Sequence, residues 1–203
     1  MAEQIYPKFE GSDRQIVEQA IRWMNANIER RIWSKQELEQ KFFKRSPSEM
    51  LRDRDTFFAE PCLDLASVLA ELLYRSKLEP VVLMSANRRF MQPVKIHFSV
   101  EIGLEGIPHL IDITRSANRV VPKEILKRKR MEIIGKIIPN ANSINSSYLG
   151  LFGFHSLQEL DRKIKGFSMN AYRRRIFASN TKRQFDKLME RRIAKANRKF
   201  HIA

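Results

Sequence analysis

Apolar positions in the first third of the chain recur every three or four residues. Ile16, Val17, Ala20, Ile21, Met24 and Ile28 follow Ser12 and Asp13, either of which suits an N-cap, so the spacing predicts a helix to about Arg30. Ser34 with Glu37 forms a capping-box pattern ahead of Leu38 and Phe42. Ser46-Pro47-Ser48-Glu49 opens a third helix, with proline early, where its missing N–H costs nothing. Residues 1–57 therefore read as a helical N-terminal part.

From Cys62 to Lys77 the residues are apolar almost all round: Leu63, Leu65, Ala66, Val68, Leu69, Ala70, Leu72 and Leu73. At about 100° per residue, Asp64, Glu71 and Arg75 fall within roughly 40° of one another, one narrow polar stripe on a central, buried helix. Cys62 lies about 160° from Asp64 on the same wheel, so its sulfur points inward. The period then changes to two. PVVLMSA (80–86), VKIHFSVEI (94–102) and PHLIDIT (108–114) predict strands, with a short hairpin link from Gly103 to Gly106. Val94, Ile96, Phe98, Val100 and Ile102 share one face of the second strand, leaving Lys95, His97, Ser99 and Glu101 on the other. A hairpin through 103–107 brings Asp112 near the His97 row.

Beyond Thr114, VPKEILKRKR predicts a short helix begun by Pro122, and MEIIGKII one more strand. Residues 140–147 (NANSINSS) are uncharged and turn-rich, which predicts a flexible connection or a lid. Ser156 with Glu159 caps a further helix, and a long one is predicted from about Asn180 to Phe200. Its Phe185, Leu188, Met189, Ile193 and Ala196 line one side, and basic residues crowd the rest.

Composition narrows the class of protein. The 203 residues are 43% hydrophobic, enough for a full core, and no run of about 18 apolar residues predicts a membrane span. The N-terminus lacks the basic and apolar regions of a secretory signal. A single cysteine forms no internal disulfide and suits the cytoplasm; it excludes a cysteine-rich zinc site while leaving a His–carboxylate site open. No cofactor is assigned. Charge is divided sharply: residues 1–112 carry 16 Lys or Arg against 17 Asp or Glu, a net of −1, whereas residues 113–203 carry 22 against 6, a net of +16. The second region is suited to something acidic, such as nucleic acid, an anionic surface or an acidic protein.

Candidate chemistry centres on the cysteine. Cys62 follows Glu60-Pro61 and heads the apolar helix; His97 lies on a strand and Asp112 on the next. A thiol in a first helical turn sees free N–H groups and the positive end of the helix dipole, both of which favour thiolate. An imidazole can take its proton, and a carboxylate beside the imidazole holds the tautomer. His109 alternates away from Asp112, His155 ranks second as a base, and His201 lies in the tail. Asp64, on the opposite side of the helix, reads as structural. The backbone N–H of Cys62 is one candidate oxyanion donor; Trp33, Gln36 and Gln40 are undistinguished candidates for a second.

These blocks resemble the transglutaminase-like superfamily, related to the papain-type thiol enzymes. EPCLDLASVLAELL resembles the family's cysteine block through Cys62, Asp64, Ala66 and Leu69; HFSVEI and LIDIT resemble its histidine and aspartate blocks at His97, Asp112 and Thr114. The resemblance covers residues 58–115. It departs from the family pattern at Glu60, Ser99 and Ile113, where glycine, an aromatic residue and proline are usual.

The resemblance implies an α+β protein with a cysteine-proteinase-type core over residues 58–138, its central helix packed on a small antiparallel sheet. A helical part (1–57) precedes the core and a basic helical extension (139–203) follows it. The implied activity is a cysteine-dependent hydrolase or acyltransferase that acts on an amide or acyl bond of a peptide, protein or small substrate through Cys62, His97, Asp112 and a thioester. The alternative is a non-catalytic module that binds nucleic acid or an acidic protein through Lys127, Arg128, Lys129, Arg130, Arg173, Arg174, Arg175, Lys187, Arg191 and Arg192, with interleaved Phe and Tyr residues for stacking.

Overall fold

A computed structural model describes residues 6–57, 62–87, 94–113, 119–128 and 131–164 of the chain. Helix and sheet are mixed. Helix α1 (Asp13–Asn27) starts at Ser12, whose side chain accepts from the Gln15 backbone while Gln15 reaches back to the cap, and it buries Ile16, Val17, Ala20, Ile21 and Met24. Helices α2 (Lys35–Lys41) and α3 (Pro47–Asp53) begin with the same reciprocal box at Ser34/Glu37 and Ser46/Glu49.

On either side of the α2–α3 pair run two strands that the helical reading of residues 1–57 missed. Strands β1 (Glu29–Arg31) and β2 (Asp55–Phe57) pair in parallel, with Arg30 opposite Thr56. At three residues each they are too short to show a period of two.

Helix α4 (Cys62–Arg75) is buried from Cys62 through Leu73. It packs on an antiparallel sheet of five strands: β3 (Val81–Asn87), β4 (Lys95–Leu104), β5 (Ile107–Asp112), β6 (Arg119–Pro122) and β7 (Met131–Ile137), in the order β6-β5-β4-β3-β7. Val82, Met84, Phe98, Val100, Ile102 and Ile111 share the main core with the α4 leucines. Burying each such side chain contributes about 1.5–3 kcal/mol. On the opposite face Leu83, Leu110 and Leu126 form a second, smaller cluster, and Leu126 comes from helix α5 (Ile125–Arg128). No helix among the described residues is long and apolar enough to cross a membrane.

Two glycines serve the sheet. Glu105 and Gly106, at φ 55° and 76°, turn β4 into β5 through the left-handed region that a tight hairpin requires. Gly135 lies beside a register shift between β3 and β7, and a Cβ there would meet Phe152 at 2.9 Å and Met84 at 3.0 Å.

The region after Thr114 differs from its pattern in two ways. Pro122 ends the edge strand β6 instead of opening a helix, which a residue without an N–H does at no cost. Residues 140–147 form neither a lid nor a loose connection. Ser143 and Ile144 are buried in a single 3-10 turn (Ser143–Asn145), Ser147 donates to the Phe43 carbonyl at 2.9 Å, and helix α6 (Tyr148–Leu151) follows directly. The Ser and Asn side chains that suggested mobility satisfy local backbone groups instead. Helix α7 (Leu157–Lys163) starts at Ser156, with Glu159 donating its N–H to the cap. The helix expected over 180–200 lies outside the described residues.

Candidate active site

Cys62 occupies the first position of α4 and is 6% exposed. Its sulfur accepts the N–H of Phe98 on β4 and that of Leu63 in its own helical turn. Burial nevertheless dominates, pushing the thiol up to about 12, and the negative charges of Asp64 and Asp112 add to the rise. The helix terminus therefore does not produce a resting thiolate in this closed arrangement; desolvation outweighs the two amide donors.

His97 and Asp112 meet directly. Val100 faces Ile111 in the β4–β5 ladder, so Asp112 lies one position past that pair and diagonal to His97 on the same face. His97 Nε2 is 3.2 Å from Asp112 Oδ2, with side chains 28% and 16% exposed. On the other side Ser85 pairs with His97 in register, and its hydroxyl donates to the His97 carbonyl at 3.1 Å. Alternation sets His97 and Asp112 on the face opposite Phe98 and Val100, while Cys62 reaches β4 from the main core through the Phe98 amide. The structure thus brings His97 and Asp112 together, while the sulfur meets the same strand from the core side, at the Phe98 amide one residue along. Among the described contacts, no direct hydrogen bond joins the thiol to the imidazole.

The other candidates separate from this cluster. His109 turns its Nδ1 to the Ile107 carbonyl at 2.8 Å, and His155 is exposed just before α7. Gln36 and Gln40 are exposed on α2. Trp33 is fully buried under the Arg45 guanidinium, 4.7 Å from ring centre to Cζ, and its Nε1 has no hydrogen-bond partner. Of the basic residues, Lys127 and Arg128 belong to α5. Their side chains lie outside the described residues, as do Lys129, Arg130, Arg173, Arg174, Arg175, Lys187, Arg191, Arg192 and His201.

The polar stripe of α4 is covered at Asp64 and Glu71 and exposed only at Arg75. Asp64 Oδ2 accepts from Thr56 Oγ1 at 2.9 Å and from Arg45 Nη2 at 3.4 Å. Arg45 also donates to the Asp55 carboxylate at 2.6 Å and to the Asp55 carbonyl at 2.8 Å. Burial pushes the Asp64 carboxyl up, and the Arg45 charge and Thr56 hydroxyl oppose it. Further along, Glu71 Oε1 accepts from Ser143 Oγ and, at 2.8 Å, from Tyr148. Burial also pushes Glu71 up, against those two hydroxyls and Arg75. Periodicity identified Asp64 and Glu71 as a stripe but carried no sign of their partners.

No family model and no curated protein matches the chain. Among solved structures, it is similar to Legionella pneumophila LapG in three forms. The EGTA-treated form is 14% identical, covering 80% of this chain and 84% of that one at a TM-score of 0.42. LapG itself is 14% identical over 80% and 82% at 0.43, and the calcium-bound form 12% identical over 80% and 85% at 0.44. At these scores the likeness carries no weight for the chemistry, for which the chain's own side chains provide the basis.

Proposed function

We propose that this chain is a cysteine-dependent hydrolase or acyltransferase with a transglutaminase-like core over residues 58–138, acting on an amide or acyl bond of a peptide, protein or small substrate. The observation that carries the reading is the 3.2 Å contact between His97 Nε2 and Asp112 Oδ2, one residue from the amide that holds the Cys62 sulfur. With Nε2 engaged by the carboxylate, Nδ1 is the ring nitrogen that takes the thiol proton. Sulfur then attacks the carbonyl carbon, the imidazolium returns the proton to the leaving group, and a thioester remains. Water or an amine resolves it, giving hydrolysis or transfer. Because the thiol rests protonated, His97 acts as a general base during attack instead of storing a preformed ion pair.

A second reading is favoured by the burial of Cys62: a non-catalytic module whose basic region, residues 123–199, engages nucleic acid or an acidic protein. Alkylation by iodoacetamide separates the two. If Cys62 is a nucleophile, His97→Ala slows alkylation by about a hundredfold or more, the low end of general-base assistance. An unchanged rate supports the binding module. That reading in turn expects a salt-dependent affinity for RNA or DNA, weakened when Arg173, Arg174 and Arg175 are replaced by Glu.

A further inference from the structure

The short parallel ladder β1–β2 touches both halves of the candidate site. From β1, Arg30 Nη2 donates to the Ile113 carbonyl at 2.7 Å. Ile113 is buried and follows Asp112 directly, just where β5 has run past its last pair with β4. From β2, Thr56 Oγ1 donates to Asp64 Oδ2 at 2.9 Å, in the first turn of α4 and two residues from Cys62. Arg30 and Thr56 are register partners in the ladder. Two side chains opposite one another on a two-stranded sheet thus grip, respectively, the backbone behind the carboxylate and the helical turn behind the nucleophile. Arg45 reinforces the second grip by bridging Asp55 of β2 to Asp64.

We propose that the β1–β2 ladder is the positioning frame of the site, Arg30 fixing the chain beside Asp112 while Thr56 fixes the start of the helix that carries Cys62. Its functional meaning rests on reading Cys62, His97 and Asp112 as the reacting groups. Two backbone segments about 50 residues apart in sequence, the one after Asp112 and the one that begins at Cys62, are then tied to a single ladder whose strands lie about 4.8 Å apart. Neither Arg30 nor Thr56 touches the reacting atoms. Both are positioning residues.

The test uses the full-length protein and two independent readouts. The first is the tautomer of His97, read from the imidazole 15N shifts of the neutral ring: Asp112 favours the proton on Nε2. Arg30→Gln is expected to weaken that preference by about threefold or more, the scale of one hydrogen bond, Arg30→Lys to restore part of it, and Asp112→Asn to abolish it so that adding Arg30→Gln changes nothing further. The second is Cys62 alkylation: Thr56→Val is expected to change the rate by about threefold or more while leaving the tautomer as in the parent, with Thr56→Ser restoring it. A loss of thermal stability in Arg30→Gln with the tautomer ratio unchanged makes Arg30 merely structural and overturns the proposal, as does a parental alkylation rate in Thr56→Val. Should Arg30→Gln not fold, the Arg30→Lys ratio decides the same question. The outcome is separable from that of the proposed activity: His97→Ala alone judges whether Cys62 is assisted, and the tautomer judges the frame whichever way that falls.

Discussion

Transferring Cys62 from water to its position under β4 raises its thiol from 9.0 to about 12, which corresponds to about 4 kcal/mol of bias toward the protonated form. At pH 8 this leaves about one molecule in ten thousand as thiolate, against roughly one in ten for the unfolded chain. Thiolate is the species that reacts, so native protein should be alkylated about a thousandfold more slowly than protein unfolded in urea at the same pH. The chain has one cysteine, so mass spectrometry of the intact protein follows the reaction without ambiguity. The same bias links to stability. The folded state holds its proton between pH 9 and 12 where the unfolded state releases it, so stability falls as pH rises through that window, and Cys62→Ala should remove this part of the fall. A native protein alkylated as fast as the unfolded one at pH 8 would show a preformed thiolate and refute the account of the resting state.

Three other perturbations follow from the geometry. Glu71 is a carboxyl raised by burial, so the folded state keeps its proton above the ordinary carboxyl range and loses stability as pH climbs through the folded value. Glu71→Gln should therefore gain in melting temperature over the parent as pH rises above 4.5 and match it below, whereas a gap independent of pH would contradict the assignment. Leu69→Ala, at a fully buried position on α4, should cost about 2–5 kcal/mol in urea unfolding. Gly135→Ala pushes a methyl group into the Phe152 ring and should cost about 1 kcal/mol net, since part of the clash is offset by the lower chain entropy of alanine.

What could be read in advance was local or periodic. Ser12, Ser34, Ser46 and Ser156 each receive the N–H of the residue three positions on, a signal contained in four letters of sequence. The alternation through His97 and the turn at Glu105-Gly106 together put Asp112 against the imidazole. The buried helix at Cys62 followed from its wheel. What escaped depended on residues far apart: Arg45 to Asp64 spans 19 positions, Ser143 to Glu71 spans 72, and Tyr148 to Glu71 spans 77. The strands β1, β2 and β6 are three or four residues long, below the length at which alternation registers. The thiol was expected to be acidified by its helix terminus; how deeply β4 would cover it is a property of packing, which no window along the chain contains.

The clasp on α4 from both directions has a consequence for synthesis. Its acidic groups are hydrogen-bonded on one flank by Arg45, made before the helix, and on the other by Ser143 and Tyr148, made long after it. A nascent chain that has emerged only to β5 holds an α4 whose Glu71 lacks its two hydroxyl partners, and a β3 edge still waiting for β7. Completing the burial of Glu71 therefore awaits residues 143 and 148, whereas the thiol at the other end of the same helix is covered as soon as β4 is in place.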